Sequence, residues 1–140
     1  MRLVLDTNVV VAGLLWHGAP RRLIDAVIDE EALALYSSPT LIAELANTLA
    51  YAKFSKRIAQ HGTSITALVE QYEALVTQVL PTHTPRVIAD DPDDDQVIAC
   101  AMTANAQLIV SGDKHLHSLG GAYNNIAIVT PAQAVQLIGR

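Results

Sequence analysis

Three runs of uninterrupted apolar residues constrain this chain more than any other feature: Leu3-Val4-Leu5, Leu108-Ile109-Val110 and Ile126-Ala127-Ile128-Val129. A strand with one wet face alternates apolar and polar residues. A run that is apolar at every position is covered on both faces, as in a parallel sheet held between helical layers. Helical patterns lie between the runs. Residues 20–30 carry Leu23, Ile24, Val27 and Ile28 on one stripe, and 32–36 read as a further strand. Ser37-Ser38-Pro39 supplies an N-cap and a proline at the first helical position of a helix running to about residue 50. Further helices are expected over 51–60 and, after Gly62, from 64 to about 80, where Pro81 and Pro85 close the region. A buried helix follows over 96–102, and a last one starts at Pro131. Strands separated by helices imply parallel pairing with right-handed crossovers, hence a three-layer α/β/α domain of the α/β class with a mostly parallel central sheet. With no internal repeat, low-complexity stretch or linker, residues 1–140 read as one domain.

Composition limits what such a domain does. A 140-residue chain with 51% apolar residues buries roughly 68–70% of its unfolded surface and needs no disulfide to hold its core. Cys100 is the single cysteine, which excludes a disulfide framework and a cysteine-based zinc cluster and suits a reducing compartment. No apolar run approaches the ~18–20 residues of a membrane helix, and Asp6 and Asn8 interrupt the N-terminal run where a signal peptide would have its core. A cytoplasmic protein is expected. The formal net charge of −5 argues against a nucleic-acid-binding module that relies on a basic surface. The acids are nevertheless concentrated. Asp90, Asp91, Asp93, Asp94 and Asp95, with Asp6, Glu44 and Asp113, account for eight of 14, leaving six acids against nine bases elsewhere, with Arg21-Arg22 and Lys53, Lys56, Arg57 as local concentrations.

Four carboxylates come from distant segments. Asp6 ends the first strand and Asp113 follows the 108–110 strand by three positions, so both belong at the carboxyl edge of a parallel sheet, where such folds place ligands. Counting by 3.6 puts Asp95 on the face of Ile98, Ala99 and Met102 and Asp94 on the row of Ile98 and Ala101. Glu44 borders the Leu41, Leu45, Leu49 stripe and can reach the same edge. Two like charges ~4 Å apart repel by about 4 kcal/mol at an effective dielectric of about 20, a large share of a domain's stability of ~5–15 kcal/mol. Protonation or a cation must relieve such a cluster. Oxygen ligands suit Mg²⁺ or Mn²⁺, whereas zinc usually takes His or Cys. Acid-held Mg²⁺ or Mn²⁺ acting on phosphate is the chemistry of phosphodiester hydrolysis.

Leu5-Asp6-Thr7-Asn8-Val9, the Glu44 helix, Asp94-Asp95-Gln96-Val97-Ile98-Ala99 and Ile109-Val110-Ser111-Gly112-Asp113-Lys114 together resemble the PIN-domain nucleases. More narrowly, they are similar to the bacterial PIN proteins grouped with toxins of VapC type in toxin–antitoxin pairs. The resemblance implies a PIN-like fold and a ribonuclease whose metal-binding acids are Asp6, Glu44, Asp95 and Asp113, with Asp94 as an auxiliary ligand and Asn8 and Ser111 as supporting polar residues. It implies an RNA substrate and a small antitoxin protein as partner, and leaves a homodimer open. His115 departs from the pattern, standing where many relatives carry a further acid after the Asp-Lys pair.

Each residue has a plainer reading. Asp6 and Asp113 suit turns, Glu44 suits a solvated helix face, and Asp90, Asp91 and Asp93 are assigned to capping a helix N-terminus, which negative charge stabilises. His115 and His117 are given no metal role. Cys100 is read as a small buried apolar residue, and Trp16 is left between stacking on a base and packing against a partner. Two other functions are compatible with an acid after the first strand. A haloacid-dehalogenase-like phosphatase needs a second Asp two residues on, where this chain has Asn8. A non-catalytic metal- or RNA-binding module needs the acids only for structure.

Overall fold

A computed structural model describes residues 1–86 and 92–140, with Pro92 and Asp93 described by backbone alone. Asp90 and Asp91 lie outside the described residues. The order is β1 (Arg2–Leu5), α1 (Thr7–Leu15), α2 (Ala19–Asp29), β2 (Ala34–Ser37), α3 (Pro39–Leu49), α4 (Ala52–Gln60), α5 (Ile65–Leu75) and β3 (Thr77–Gln78). Then come α6 (Pro92–Ala104), β4 (Leu108–Val110), α7 (Lys114–His117), β5 (Ala122–Tyr123), β6 (Ile126–Val129) and α8 (Pro131–Leu137). The sheet order is β3-β2-β1-β4-β6-β5. All neighbours pair in parallel except β5 with β6, a short antiparallel edge.

The continuous apolar runs are strands covered on both sides. Leu3, Leu5, Leu35, Leu108 and Val110 face one cluster, built with α1, α2, α3, α5 and α8. Val4, Ile109, Ile126 and Ile128 face the other, where α6 contributes Val97, Ile98, Cys100 and Ala101 and α7 contributes Leu116. Alternate residues of one strand therefore enter opposite cores. Helix starts follow their capping residues: Ser38 Oγ accepts from Leu41 N–H, Ser64 Oγ from Ala67 N–H, and Thr130 with Gln133 forms a reciprocal capping box.

Five elements depart from the expectations. Helix α1 occupies a segment whose sequence, Thr7-Asn8-Val9-Val10-Val11-Ala12-Gly13-Leu14-Leu15, is rich in β-branched residues. It is buried on nearly every side, so it lacks the amphipathic period that would announce a helix. The helix expected to reach residue 80 ends at Leu75, and Thr77–Gln78 pair with β2 instead. Strand β5 and the one-turn helix α7 are too short to carry a pattern. Against these, β4 and β6 lie where the apolar runs put them.

Gly13 is where α1 and α2 meet. A Cβ there would stand 2.6 Å from Ile24 Cδ1 and 3.0 Å from the Pro20 carbonyl oxygen. A side chain at position 13 gains helix propensity but meets a buried methyl and fixed backbone, and overpacking of this kind typically costs ~1–3 kcal/mol. Gly13→Val is expected to lower the melting temperature by several degrees; an unchanged or raised value in calorimetry would show that the helices have room to part.

Candidate functional site

The carboxyl ends of the central strands open into a cleft of about 290 Å³ lined, among the described residues, by Asp6, Asn8, Glu44, Thr48, Tyr51, Lys53, Asp94 and Asp113. Residues from four distant segments thus meet at one place. Asp6 leaves β1 with its N–H bonded to the Val110 carbonyl at 2.9 Å, and it stands at the N-cap of α1 without capping it by its side chain. Its Oδ2 accepts from Ser111 Oγ at 2.8 Å, and the same hydroxyl oxygen accepts from Asp113 N–H at 2.8 Å. Ser111 is fully buried, so this bridge ties the end of β1 to the turn after β4. The supporting part expected of Ser111 has here a definite form: it fixes one carboxylate directly and the backbone of the other.

Asp113 is the N-cap of α7, with Oδ1 accepting from His115 N–H at 2.7 Å. His117 turns back on the same loop, its Nε2 lying 2.6 Å from the Ser111 carbonyl oxygen, which gives it a structural role. Glu44 is half-buried on α3 and reaches the cleft, with Thr48 one turn further along the same helix.

The acidic run resolves into two environments. Asp94 and Asp95 are 3% and 5% exposed, so both turn inward as expected. Only Asp94 is among the described residues lining the cleft. The helix explains the difference: Val97, Ile98 and Ala101 are at most 1% exposed, whereas Met102 is 37% exposed. The row Asp94, Val97, Ile98, Ala101 stays buried along its length, whereas the row Asp95, Ile98, Ala99, Met102 is buried through Ala99 and comes to the surface at Met102. Negative charge at the N-cap of α1, on Asp6, and in the first turn of α6 is favoured by the helix dipoles, which offsets part of the repulsion among these acids.

Two features of the site were not foreseen from sequence. His115 comes close to the acids: one ligand atom each from Asp94, Asp113 and His115 lie within 4.8 Å of one another. Lys53 and Tyr51 line the cleft from the start of α4, where sequence showed only a local concentration of bases. The helical spacing of Glu44 and Thr48 was the available signal that this face continues toward Tyr51. Behind Lys53 stands a stack: its Nζ lies 5.1 Å from the Phe54 ring centroid, Phe54 meets Trp16 edge-on at 6.0 Å, and Arg57 covers the Trp16 ring at 5.4 Å. Arg57 also donates through Nε to the Leu15 carbonyl at 2.8 Å, closing the end of α1. Trp16, although 41% exposed, is thus part of the wall that carries Lys53.

Elsewhere the chemistry is poor. A larger apolar groove of about 330 Å³ is lined by residues including Leu14, Ile24, Ile28, Leu75 and the buried Tyr72, whose pKa burial pushes up. Cys100 is fully buried and its thiol is pushed up to about 12 by burial, so it is an inert core residue, as its surroundings in sequence suggested. No described helix is long and apolar enough to cross a membrane.

The donors in the cleft fit a hard divalent cation: carboxylate oxygens from Asp6, Glu44, Asp94 and Asp113 share one cleft, and part of the set is within joint reach of a single ion. Among known proteins, an uncharacterised protein of Methanocaldococcus jannaschii is 28% identical over 120 residues, which are 85% of this chain and 75% of the relative. A chain of VapBC2 from Rickettsia felis, solved bound to a DNA fragment from their promoter, has the same fold with a TM-score of 0.64 at 12% identity, covering 93% of this chain and 98% of that one. The family model described as PIN domain matches residues 2–115, a span that holds every acid of the cleft. The chain therefore belongs to the PIN-domain family, whose members are generally nucleases.

Proposed function

We propose that this protein is a Mg²⁺- or Mn²⁺-dependent endoribonuclease that serves as the toxin of a type II toxin–antitoxin pair. The observation that carries the reading is the meeting of Asp6, Glu44, Asp94 and Asp113 in one cleft at the carboxyl edge of the sheet. These four are the ligands we assign, with Asp94 ahead of Asp95, and Asp95 packed behind them as a supporting charge. A bound divalent ion supplies charge stabilisation to the phosphoryl group and acidifies water. The chain's own residues do the rest. Ser111 holds the Asp6 carboxylate in one orientation, Lys53 attracts the substrate phosphate at the cleft mouth, and the exposed Tyr51 ring offers a face to an unpaired base. Single-stranded RNA suits an open cleft with one basic wall, and no basic surface wide enough to grip a duplex is needed. The Asn at position 8 and the family membership together leave the phosphatase alternative without support. The antitoxin partner is supported by the fold shared with a VapBC2 chain and by the acidity of the cleft, which a basic side chain of a small inhibitor would neutralise.

The test of this reading is cleavage of a mixed-sequence single-stranded RNA at fixed Mn²⁺. Asp6→Asn and Asp94→Asn keep shape while removing a negative ligand, so the rate should fall by at least ~100-fold while melting in EDTA is unchanged or slightly raised. Asp95→Asn should retain more activity per folded molecule than Asp94→Asn. The reverse order would make Asp95 the ligand, and full activity in Asp6→Asn would remove the nuclease assignment.

Metal binding itself is open to melting experiments. An ion that binds only the folded chain stabilises it by about 2.7 kcal/mol at a hundredfold excess over Kd, on the order of 10 °C for a domain of this size. Equal melting temperatures in EDTA and in millimolar Mn²⁺ would contradict the metal site. Lys53→Ala should raise KM several-fold with kcat nearly constant, and the slope of log KM against log salt should fall by about 0.7, the value for one phosphate contact on a single strand. A changed kcat with an unchanged slope would place Lys53 outside the substrate path.

A further inference from the structure

We propose that His115 is a metal ligand, and that with Asp94 and Asp113 it forms a mixed nitrogen and oxygen position that selects Mn²⁺ or Co²⁺ over Mg²⁺. The inference rests on the metal-dependent reading above and adds to it the chemical class of the ion. Its geometry comes from the first turn of α7. The bond from His115 N–H to Asp113 Oδ1 folds the two residues together, leaving the imidazole Nδ1 3.5 Å from that carboxylate oxygen. Asp94 approaches from α6, and one ligand atom from each of the three lies within 4.8 Å of the others. Ligands on opposite sides of an ion with bonds of about 2.1 Å are roughly 4.2 Å apart, so small side-chain rotations close the set. The His115 side chain is 39% exposed and can make such a rotation without disturbing the core. His117, two residues on, is engaged with the Ser111 carbonyl and stays outside the set.

The consequence follows from donor chemistry. Mg²⁺ takes oxygen ligands in a strict octahedron and gives up water reluctantly, while imidazole raises affinity for first-row transition metals. An acid at position 115 would give an all-oxygen set; His115 replaces that anion by a neutral nitrogen donor. This weakens the hold on Mg²⁺ more than that on the transition-metal ions, for which imidazole is the better donor, modestly for Mn²⁺ and more for Co²⁺. The competing arrangement is an imidazolium paired with Asp113, in which the histidine substitutes for a cation and binds none.

The experiment uses the full chain stripped of metal with EDTA and then loaded with Mn²⁺. Electron spin-echo envelope modulation should show nitrogen coupled to the bound Mn²⁺ in the wild type and none in His115→Gln. Melting titrations with each metal should show Mn²⁺ binding weakened by at least ~10–100-fold in His115→Gln, since that is the range lost when even a group supporting a ligand is removed. In His115→Asp the ratio of the half-saturating Mg²⁺ and Mn²⁺ concentrations should fall at least tenfold. If Mn²⁺ stabilises wild type and His115→Gln equally and shows no coupled nitrogen, His115 is not a ligand, although the carboxylate site stands. If Mn²⁺ moves the melting temperature of neither protein, the metal-dependent reading fails and this inference fails with it.

Discussion

Negative charge gathered at a half-buried sheet edge is the constraint on which the rest of the molecule depends. Carboxylates from four segments line one cleft, and like charges ~4 Å apart repel by about 4 kcal/mol at an effective dielectric of about 20, against a domain stability of ~5–15 kcal/mol. The fold contains several counterweights. Ser111 bonds one Asp6 oxygen and the Asp113 backbone, spreading charge into a buried hydroxyl and two N–H groups. Helices α1 and α6 present their N-terminal ends to the acids. Lys53 lines the same cleft. What repulsion remains is what a cation in the cleft would relieve.

The apolar architecture exists to hold that edge still. Because β1 and β4 bury both faces, the residues that follow them leave the sheet at fixed points, and Asp6 and Asp113 inherit their positions from Leu5 and Val110, which pair in register. Helix α1 packs under the sheet close enough to α2 that a Cβ at position 13 would crowd the Ile24 side chain and the Pro20 carbonyl. Its far end carries Trp16, against which Phe54 and Arg57 pack, so the wall bearing Lys53 is tied to the same buried helix as Asp6. Both sides of the cleft, acidic and basic, are therefore set by one element.

Much of this was legible in the residues, because the strongest patterns belong to the parts that do most to shape the sheet. Runs apolar at every position marked β4 and β6, and prolines and serines marked the starts of α3 and α8. Asp6, Glu44 and Asp113 could be placed near one edge from strand ends and helical spacing alone. Burial concealed the rest. A helix covered on all sides, like α1, has no polar face to give it a period. Asp94 and Asp95 are both buried, yet of the two only Asp94 is among the described residues lining the cleft, a difference that helical counting could not supply because Met102, apolar in sequence, is exposed. His115 stood out in sequence beside Asp113-Lys114, but its approach to Asp94 could not be read there, because it comes from the turn after β4 meeting α6, a contact between segments that no local pattern records.

The central claim, that these acids converge to hold a divalent ion, is tested most directly by diffraction from crystals soaked in Mn²⁺ and measured for its anomalous signal. The account predicts a peak inside the cleft, at bonding distance, ~2.2 Å, from carboxylate oxygens of Asp94 and Asp113 and facing Asp6 and Glu44. A fully soaked crystal with an ordered cleft and no peak there, or with Mn²⁺ bound only at exposed surface acids, would contradict it.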